Sequence, residues 1–384
     1  MRNLQPFVER DLSEKFVFLS GPRQVGKTHL AQAILRKLGG KYYNWDSTED
    51  RQLILARGFL HDKLVVLDEL HKYDRWKSFL KGIYDKHHEE LSALVTGSAR
   101  LDVYRKGGDS LLGRYFLFHL HPLTIGELAR PHTIPKPERL EEGPADRAES
   151  ELAEALFRWG GFPEPFYAAN DEAHLRWSIQ RRELLVQQDI RDFTNIQLLS
   201  LIEHLMLLLP SRVGSVLSVN NLKEDLQVAY NTVISWLRTF EQLFIVFTLT
   251  PYTAKLARSV HKERKLYLWD WSQIAESEIR FENFIAGHLW KAVQIWRDLG
   301  YGDFGLHFLR DRDRREVDFC ITKDRLPWLL VEAKVADTQL SENLRYFCNR
   351  FNVKGVQIVK TPGVYKKSGQ MTVISADAWL PRLP

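Results

Sequence analysis

Gly21-Pro22-Arg23-Gln24-Val25-Gly26-Lys27-Thr28 is the stretch on which the fold turns. It fits GxxxxGK[ST], follows the apolar run Phe16–Ser20 and opens a helical pattern over Lys27–Leu38. A strand, a glycine-bearing bend and a helix, in that order, are what a phosphate-binding loop requires. Glycines let backbone amides turn inward around a β-phosphate, and the helix N-terminus adds partial positive charge. Lys27 neutralises β/γ oxygens and the Thr28 hydroxyl offers a ligand to Mg²⁺. The expected nucleotide-binding set is Gly21, Pro22, Arg23, Gln24, Val25, Gly26, Lys27, Thr28 and, one place further into the helix, His29.

Working outward, residues 64–67 are four aliphatics followed by Asp68 and Glu69. A strand that is buried on both faces and ends in acids places them where ligands collect in open α/β sheets. Asp68 is expected to hold the Mg²⁺ shell and Glu69 to polarise the attacking water. A third run at 93–96 ends in Thr96-Gly97-Ser98, with Ser98 the first candidate to report on a γ-phosphate and Thr96 the second. Arg100, Arg105 and Arg114 follow, and Arg114 is the candidate to offset phosphoryl charge from a neighbouring subunit. The catalytic expectation is therefore Lys27, Glu69, Ser98 and Arg114. Strands alternating with helices imply an α/β fold with a parallel sheet.

The chain of 384 residues is long enough for two or three domains. With 44% hydrophobic and 27% charged residues it is not a disordered, collagen-like or disulfide-scaffold sequence. The formal charge of +5 permits a polyanionic partner. Only Cys320 and Cys348 are present, so neither a disulfide framework nor a zinc site is indicated, and a reducing compartment is expected. The first residues lack the pattern of a secretory signal, and the greasiest stretch, 198–209, carries Glu203 and His204 and is too short to span a bilayer. These features predict a soluble cytoplasmic protein with no membrane partner.

Composition divides the chain further. Residues 1–130 read as the nucleotide domain, and 131–150, rich in proline and charge, as a linker. Residues 151–200 read as a helical lid interrupted by Gly160-Gly161-Phe162-Pro163-Glu164. Over 201–275, helical patterns precede β-type runs at 244–249 and 265–269, the order of a winged helix-turn-helix. Its helices are expected at 222–228 and 232–243, with Asn231 as N-cap of the second. Val233, Trp236, Leu237, Phe240 and Leu243 form one buried stripe, and Arg238 lies on the opposite face. Major-groove readout is therefore not supported. In the wing, Lys255, Arg258, Lys262, Arg264 and Lys265 are candidates for phosphate contact.

Residues 276–384 open with an amphipathic helix at 281–296 and continue with strands at 316–322 and 328–335. On the second strand Glu332 and Lys334 share a face while Val331, Ala333 and Val335 point to a core. A hairpin through 323–327 brings Asp318 to the same place, and Glu282 is a fourth member within reach. Two carboxylates can hold Mg²⁺ and a lysine can position water, which is the logic of a D…ExK nuclease site. The expected metal ligands are Thr28 and Asp68 at one site and Glu282, Asp318 and Glu332 at the other. A remnant that binds without cutting is the alternative. The charged run 310–315 reads as a solvated loop or a phosphate contact.

Together these residues resemble the bacterial and archaeal AAA-type (AAA+) P-loop ATPases that carry a C-terminal domain of unknown function with a restriction-nuclease-like, PD-(D/E)XK, core. The resemblance is carried by GPRQVGKT, VVLDELHKYDRWKSFLKGIYD, VTGSARLDV, LLGRY, HPLTIGEL, GGFPEP, LYLWD, FENFIAG, EVDF and VEAK, in order along the chain. It implies ATP and Mg²⁺ at Lys27, Thr28, Asp68 and Glu69, and nuclease-type positions at Glu282, Asp318, Glu332 and Lys334. DNA is the expected partner and a homo-oligomer the expected state, a hexamer being favoured. His71, and the tryptophan after Asp270, depart from the pattern. The resulting expectation is an ATP-driven motor or switch acting on branched or processed DNA. Its alternative is a nucleotide-gated interaction module with a degenerate nuclease core.

Overall fold

In the computed structural model, described over residues 2–97, 111–140, 146–190, 199–253 and 263–384, the first apolar runs become strands: β1 Phe16–Ser20, β2 Lys41–Asn44, β3 Leu64–Asp68, β4 Ser92–Gly97 and β5 Tyr115–His119. They form one parallel sheet in the order β2-β3-β4-β1-β5. Every residue of β1 and β3 is buried, as expected of strands covered on both faces. The helices Lys27–Leu38, Thr48–Leu55 and Trp76–His87 alternate with the strands. One core beneath the sheet gathers Phe18, Val65, Leu67, Trp76, Leu80 and Val95. Each such side chain contributes about 1.5–3 kcal/mol on burial. The carboxyl ends of β1, β3 and β4 adjoin one another, so the loop after β1 and the acids after β3 meet at one edge.

The chain divides into two compact units, Met1–Pro122 with Gln242–Phe244, and Leu123–Glu241 with Ile245–Pro384. The division falls at 122/123. Local bonding explains why: the Leu123 amide donates to Gly161 O at 2.6 Å, and Glu127 pairs with Lys291 at 2.6 Å. The segment expected as a linker is also anchored where it is described. The Trp296 indole donates to Pro135 O at 3.0 Å, and Glu138 pairs with Lys323 at 2.6 Å. Asp146 then caps the helix Arg147–Trp159 through a reciprocal bond with Glu149.

In the second unit the helices Leu199–Leu208, Val219–Leu226 and Tyr230–Gln242 precede an antiparallel pair, β6 Val246–Leu249 and β7 Lys265–Leu268. The helix expected at 222–228 begins three residues earlier because Ser218 caps it, accepting from the Asn221 amide, and ends at left-handed Gln227. Asn231 is not an N-cap: the helix already contains Tyr230 before it. The stripe Val233, Trp236, Leu237 and Phe240 is buried, as its spacing predicts. Lys255, Arg258 and Lys262 lie outside the described residues.

The last segment is a mixed sheet ordered β12-β13-β11-β10-β9-β8, built from Phe304–Arg310, Glu316–Lys323, Leu326–Lys334, Lys354–Val359, Tyr365–Ser368 and Met371–Ser375 as β8 to β13. β9 and β10 form a hairpin closed by Asp324 and Arg325, both at positive φ. The helix Glu342–Phe351 links β10 to its parallel neighbour β11. The helix expected at 281–296 runs over Ser277–Asp298.

Candidate nucleotide site and C-terminal carboxylate cluster

The loop after β1 is shaped by close packing. A Cβ on Gly21 would lie 2.3 Å from Leu120 O, so only glycine fits. Gly26 stands at the N-cap of Lys27–Leu38 with φ 99° and no side-chain cap, which puts the positive end of that helix at the loop. Behind the loop the buried Arg2 guanidinium donates to Val25 O at 3.0 Å and also to His121 O. Lys27 is buried and donates to Gly21 O and Pro22 O, each at 2.8 Å, which keeps its ammonium over the loop. Arg23 is half-buried, whereas Gln24, Thr28 and His29 are exposed and Val25 is buried. A helix N-terminus, a bend that excludes Cβ and a loop-bound ammonium together fit the phosphates of a nucleotide.

Asp68 is the hub of the opposite side. Its Oδ2 accepts from Thr28 Oγ1 at 3.1 Å and from the Tyr42 hydroxyl at 2.5 Å. Its Oδ1 accepts from the Glu69 amide at 3.1 Å and from the Thr96 hydroxyl. Thr96 is fully buried, and its hydroxyl donates to this carboxylate. Burial, reinforced by Asp68, holds the Tyr42 phenol well above its ordinary range, so it is a firm donor. Thr28 and Asp68 therefore stand together as hard oxygen ligands suited to Mg²⁺.

Glu69 sits beside them at φ 57°. Burial raises its carboxyl above the usual range, against the opposing pull of Lys27. Its Oε2 lies 3.6 Å from His71 Nε2 and 3.7 Å from Lys72 Nζ, and Lys72 also pairs with Asp46 at 2.5 Å. His71, a departure from the family pattern, is thus next to the candidate base. Tyr42 and Arg2 lie in no motif, and Lys72, though inside the quoted stretch that starts at Val65, has no role that its spacing reveals. Arg114 donates to Asp85 Oδ1 at 2.6 Å, and this bond raises its guanidinium further. Ser98, Arg100 and Arg105 lie outside the described residues.

A second group of charges forms where the hairpin β9–β10 meets β7 and the helix Ser277–Asp298. The Asp318 Oδ2 accepts from the Ala333 amide at 2.9 Å, and Lys334 Nζ is 3.0 Å from Glu332 Oε1. The four residues expected at a nuclease-type site, Glu282, Asp318, Glu332 and Lys334, are thereby brought to one neighbourhood. Sequence reasoning missed its centre. Lys265, expected on an exposed wing, is buried at 2% exposure, 2.6 Å from Glu316 Oε1, 3.6 Å from Glu282 Oε1 and 3.8 Å from Asp318 Oδ1. Tyr267 donates to Glu282 Oε1 at 2.8 Å.

Electrostatics follows burial. Burial, then Asp318, pushes the Glu282 carboxyl up to about 7, while Lys265 and Tyr267 restrain it. Burial, then Asp318, pushes Glu332 up to about 8. Burial opposes the charge on Lys265, but Glu282, Asp318 and Glu316 outweigh it and hold the ammonium above its ordinary range. Glu332 Oε2 is buried with no hydrogen-bond partner. Among the described residues, no group of three or more His, Cys, Asp and Glu is arranged to hold a metal ion. Nor is any described helix long and apolar enough to cross a membrane.

Residues 13–129 match an AAA domain. The whole parallel sheet, the loop at Gly21 and the acids Asp68 and Glu69 lie within that match. Residues 150–275 match one domain of unknown function (DUF8612) and residues 279–379 another (DUF4143). The chain is 24% identical over 258 residues to Uncharacterized protein Mb2031c of Mycobacterium bovis and to Uncharacterized protein Rv2008c of Mycobacterium tuberculosis. Each match covers 66% of this chain and 54% of the relative, so the chain spans about half the length of these relatives. Among solved structures it is similar to the Thermotoga maritima RuvB Holliday junction branch migration motor, at 16% identity and a TM-score of 0.31, over 64% of this chain and 86% of that one. A double mutant of the Bacteroides Pif1 helicase matches at 13% identity and a TM-score of 0.21, over 31% and 41% of the two chains.

Proposed function

We propose that the chain is an ATP-driven motor or switch that acts on DNA from the cytoplasm as a homo-oligomer, with a hexamer favoured. The observation that carries this reading is the convergence of Lys27, Thr28, Asp68 and Glu69 at the carboxyl edge of one parallel sheet inside the AAA domain. Lys27 draws phosphate oxygens towards the N-terminus of its helix. Thr28 and Asp68 offer adjacent oxygens to Mg²⁺, which when bound neutralises developing phosphoryl charge. Glu69 orients the attacking water, and its release from His71 and Lys72 sets when it can do so. Arg114 serves a neighbouring subunit once it leaves Asp85. Exposed Arg312 and Arg314 are suited to a phosphate backbone.

The C-terminal cluster favours the second reading of that half, an interaction module that binds without cutting. A divalent cation at Glu282, Asp318 and Glu332 fits the residues present poorly, because Lys265 already stands among the carboxylates. Phosphate release from Mg²⁺-ATP, measured with and without duplex, single-stranded and four-way DNA, tests the proposal. Turnover is expected in the intact chain and is expected to vanish in Lys27→Ala. Turnover that survives that substitution sinks the motor assignment, and nicking of any of these DNAs that is lost in Asp318→Ala sinks the non-cutting reading.

A further inference from the structure

We infer that Lys265 is the resident cation of the C-terminal carboxylate cluster and excludes a divalent metal ion from it. The inference rests on the geometry of the cluster alone and stands whether or not the nucleotide reading holds. Carboxylates of Glu316, Glu282 and Asp318 approach one ammonium at 2.6, 3.6 and 3.8 Å. They come from β9 and from the helix Ser277–Asp298, so the place where they converge is built by the fold and does not arise from one run of acids. A hard cation collecting these oxygens at about 2.0–2.6 Å needs the volume that Lys265 Nζ fills.

Lys265 cannot readily swing away. Its backbone is paired with Leu249 on one side and bridged to Val216 on the other, and the Phe308 ring lies 5.6 Å from its ammonium. The side chain is only 3% exposed. Among the described residues, no group of three or more His, Cys, Asp and Glu is arranged here to hold a metal ion. Towards β10, Asp318 Oδ2 accepts from the Ala333 amide, Glu332 Oε1 lies against Lys334, and Glu332 Oε2 is buried without a partner. The ammonium thus supplies the positive charge that buried carboxylates require.

The test is Mn²⁺ binding by the nucleotide-free full chain, read by electron paramagnetic resonance. Four proteins are compared: the natural chain, Asp318→Asn, Lys265→Met, and the Lys265→Met/Asp318→Asn double variant. Equal binding by the first two is expected, since any Mn²⁺ held near Asp68 is common to both. Lys265→Met is expected to gain one site at least about tenfold tighter, and the double variant to lose it. If removal of the ammonium alone prevents folding, Lys265→Met/Glu316→Gln takes its place, with the nearest carboxylate neutralised. An Asp318-dependent Mn²⁺ site in the natural chain overturns the inference, as does a folded Lys265 variant that gains no site.

Discussion

The Tyr42 hydroxyl and the Thr28 hydroxyl donate to the same oxygen, Asp68 Oδ2, at 2.5 and 3.1 Å. β2 and β3 are paired so that Asn44 opposes Asp68, which sets Tyr42 two residues back on the same face. One oxygen that receives two donors is fixed in direction, and that orientation is what a metal-water shell needs from its carboxylate. Tyr42→Phe removes a bond to a charged group worth about 1.5–3 kcal/mol. ATP turnover is expected to fall about tenfold while nucleotide affinity changes little. Steady-state kinetics with a fluorescent nucleotide titration separates the two, and equal turnover in both proteins refutes the role.

Glu69 and Lys27 should separate by what they lose. Glu69→Gln keeps the size of the side chain and its place near His71 and Lys72, so nucleotide binding should persist while hydrolysis drops about 100- to 10,000-fold. Lys27→Ala removes the ammonium that rests on Gly21 O and Pro22 O, so binding itself should weaken. Calorimetric titration with an ATP analogue gives the first quantity and phosphate release the second. If Glu69→Gln still hydrolyses at the natural rate, another group is the base.

What the sequence disclosed follows from where the determinants lie. β1, β3 and β4 are apolar runs between helical patterns, and the loop at Gly21 has fixed spacing, so both were legible. β2, Lys-Tyr-Tyr-Asn, is an edge strand with half-exposed positions and lacks the continuous apolar signal of a central strand, whereas β5, Tyr-Phe-Leu-Phe-His, carries an apolar run at the other edge of the sheet. Tyr42 was hidden with β2. Lys265 reads as part of a basic wing because four other cations, Lys255, Arg258, Lys262 and Arg264, precede it. Only its pairing with Leu249 and the approach of Glu316, 51 positions later, turn it inward. Asp324 and Arg325 lack the asparagine-glycine signal of a two-residue hairpin turn.

That turn yields a stability prediction. Arg325 is held at φ 67° and Asp324 at 52°, a region costly for residues that carry a Cβ. The strands β9 and β10 are paired up to Lys323 and Leu326, so the two residues have no freedom to relax. Arg325→Gly removes the strain and should stabilise the second unit by about 1 kcal/mol. A urea unfolding midpoint that moves down, or stays fixed, contradicts this.

Glu332 should give the second unit a pH-dependent stability. Burial, with Asp318 adding to it, moves its carboxyl from 4.5 to about 8, so the folded chain holds a proton that the unfolded chain releases. A raised acid stabilises the fold below the unfolded value and loses that contribution as pH rises through the folded one. Stability attributable to Glu332 should therefore be complete near pH 4.5 and decline towards pH 8, with a slope of up to about 1.4 kcal/mol per pH unit. Glu282, pushed up to about 7 by burial and then Asp318, adds in the same direction over a narrower window. Lys265 is held above its ordinary range and stays charged throughout this interval. Glu332→Gln cannot release the proton, so its urea midpoints at pH 5.5, 7.0 and 8.5 should fall less steeply than those of the natural chain. The slope is the readout, because the substitution also alters the contact with Lys334 and shifts absolute stability at every pH. Parallel slopes in the two proteins show that the Glu332 carboxyl is ionised in the fold.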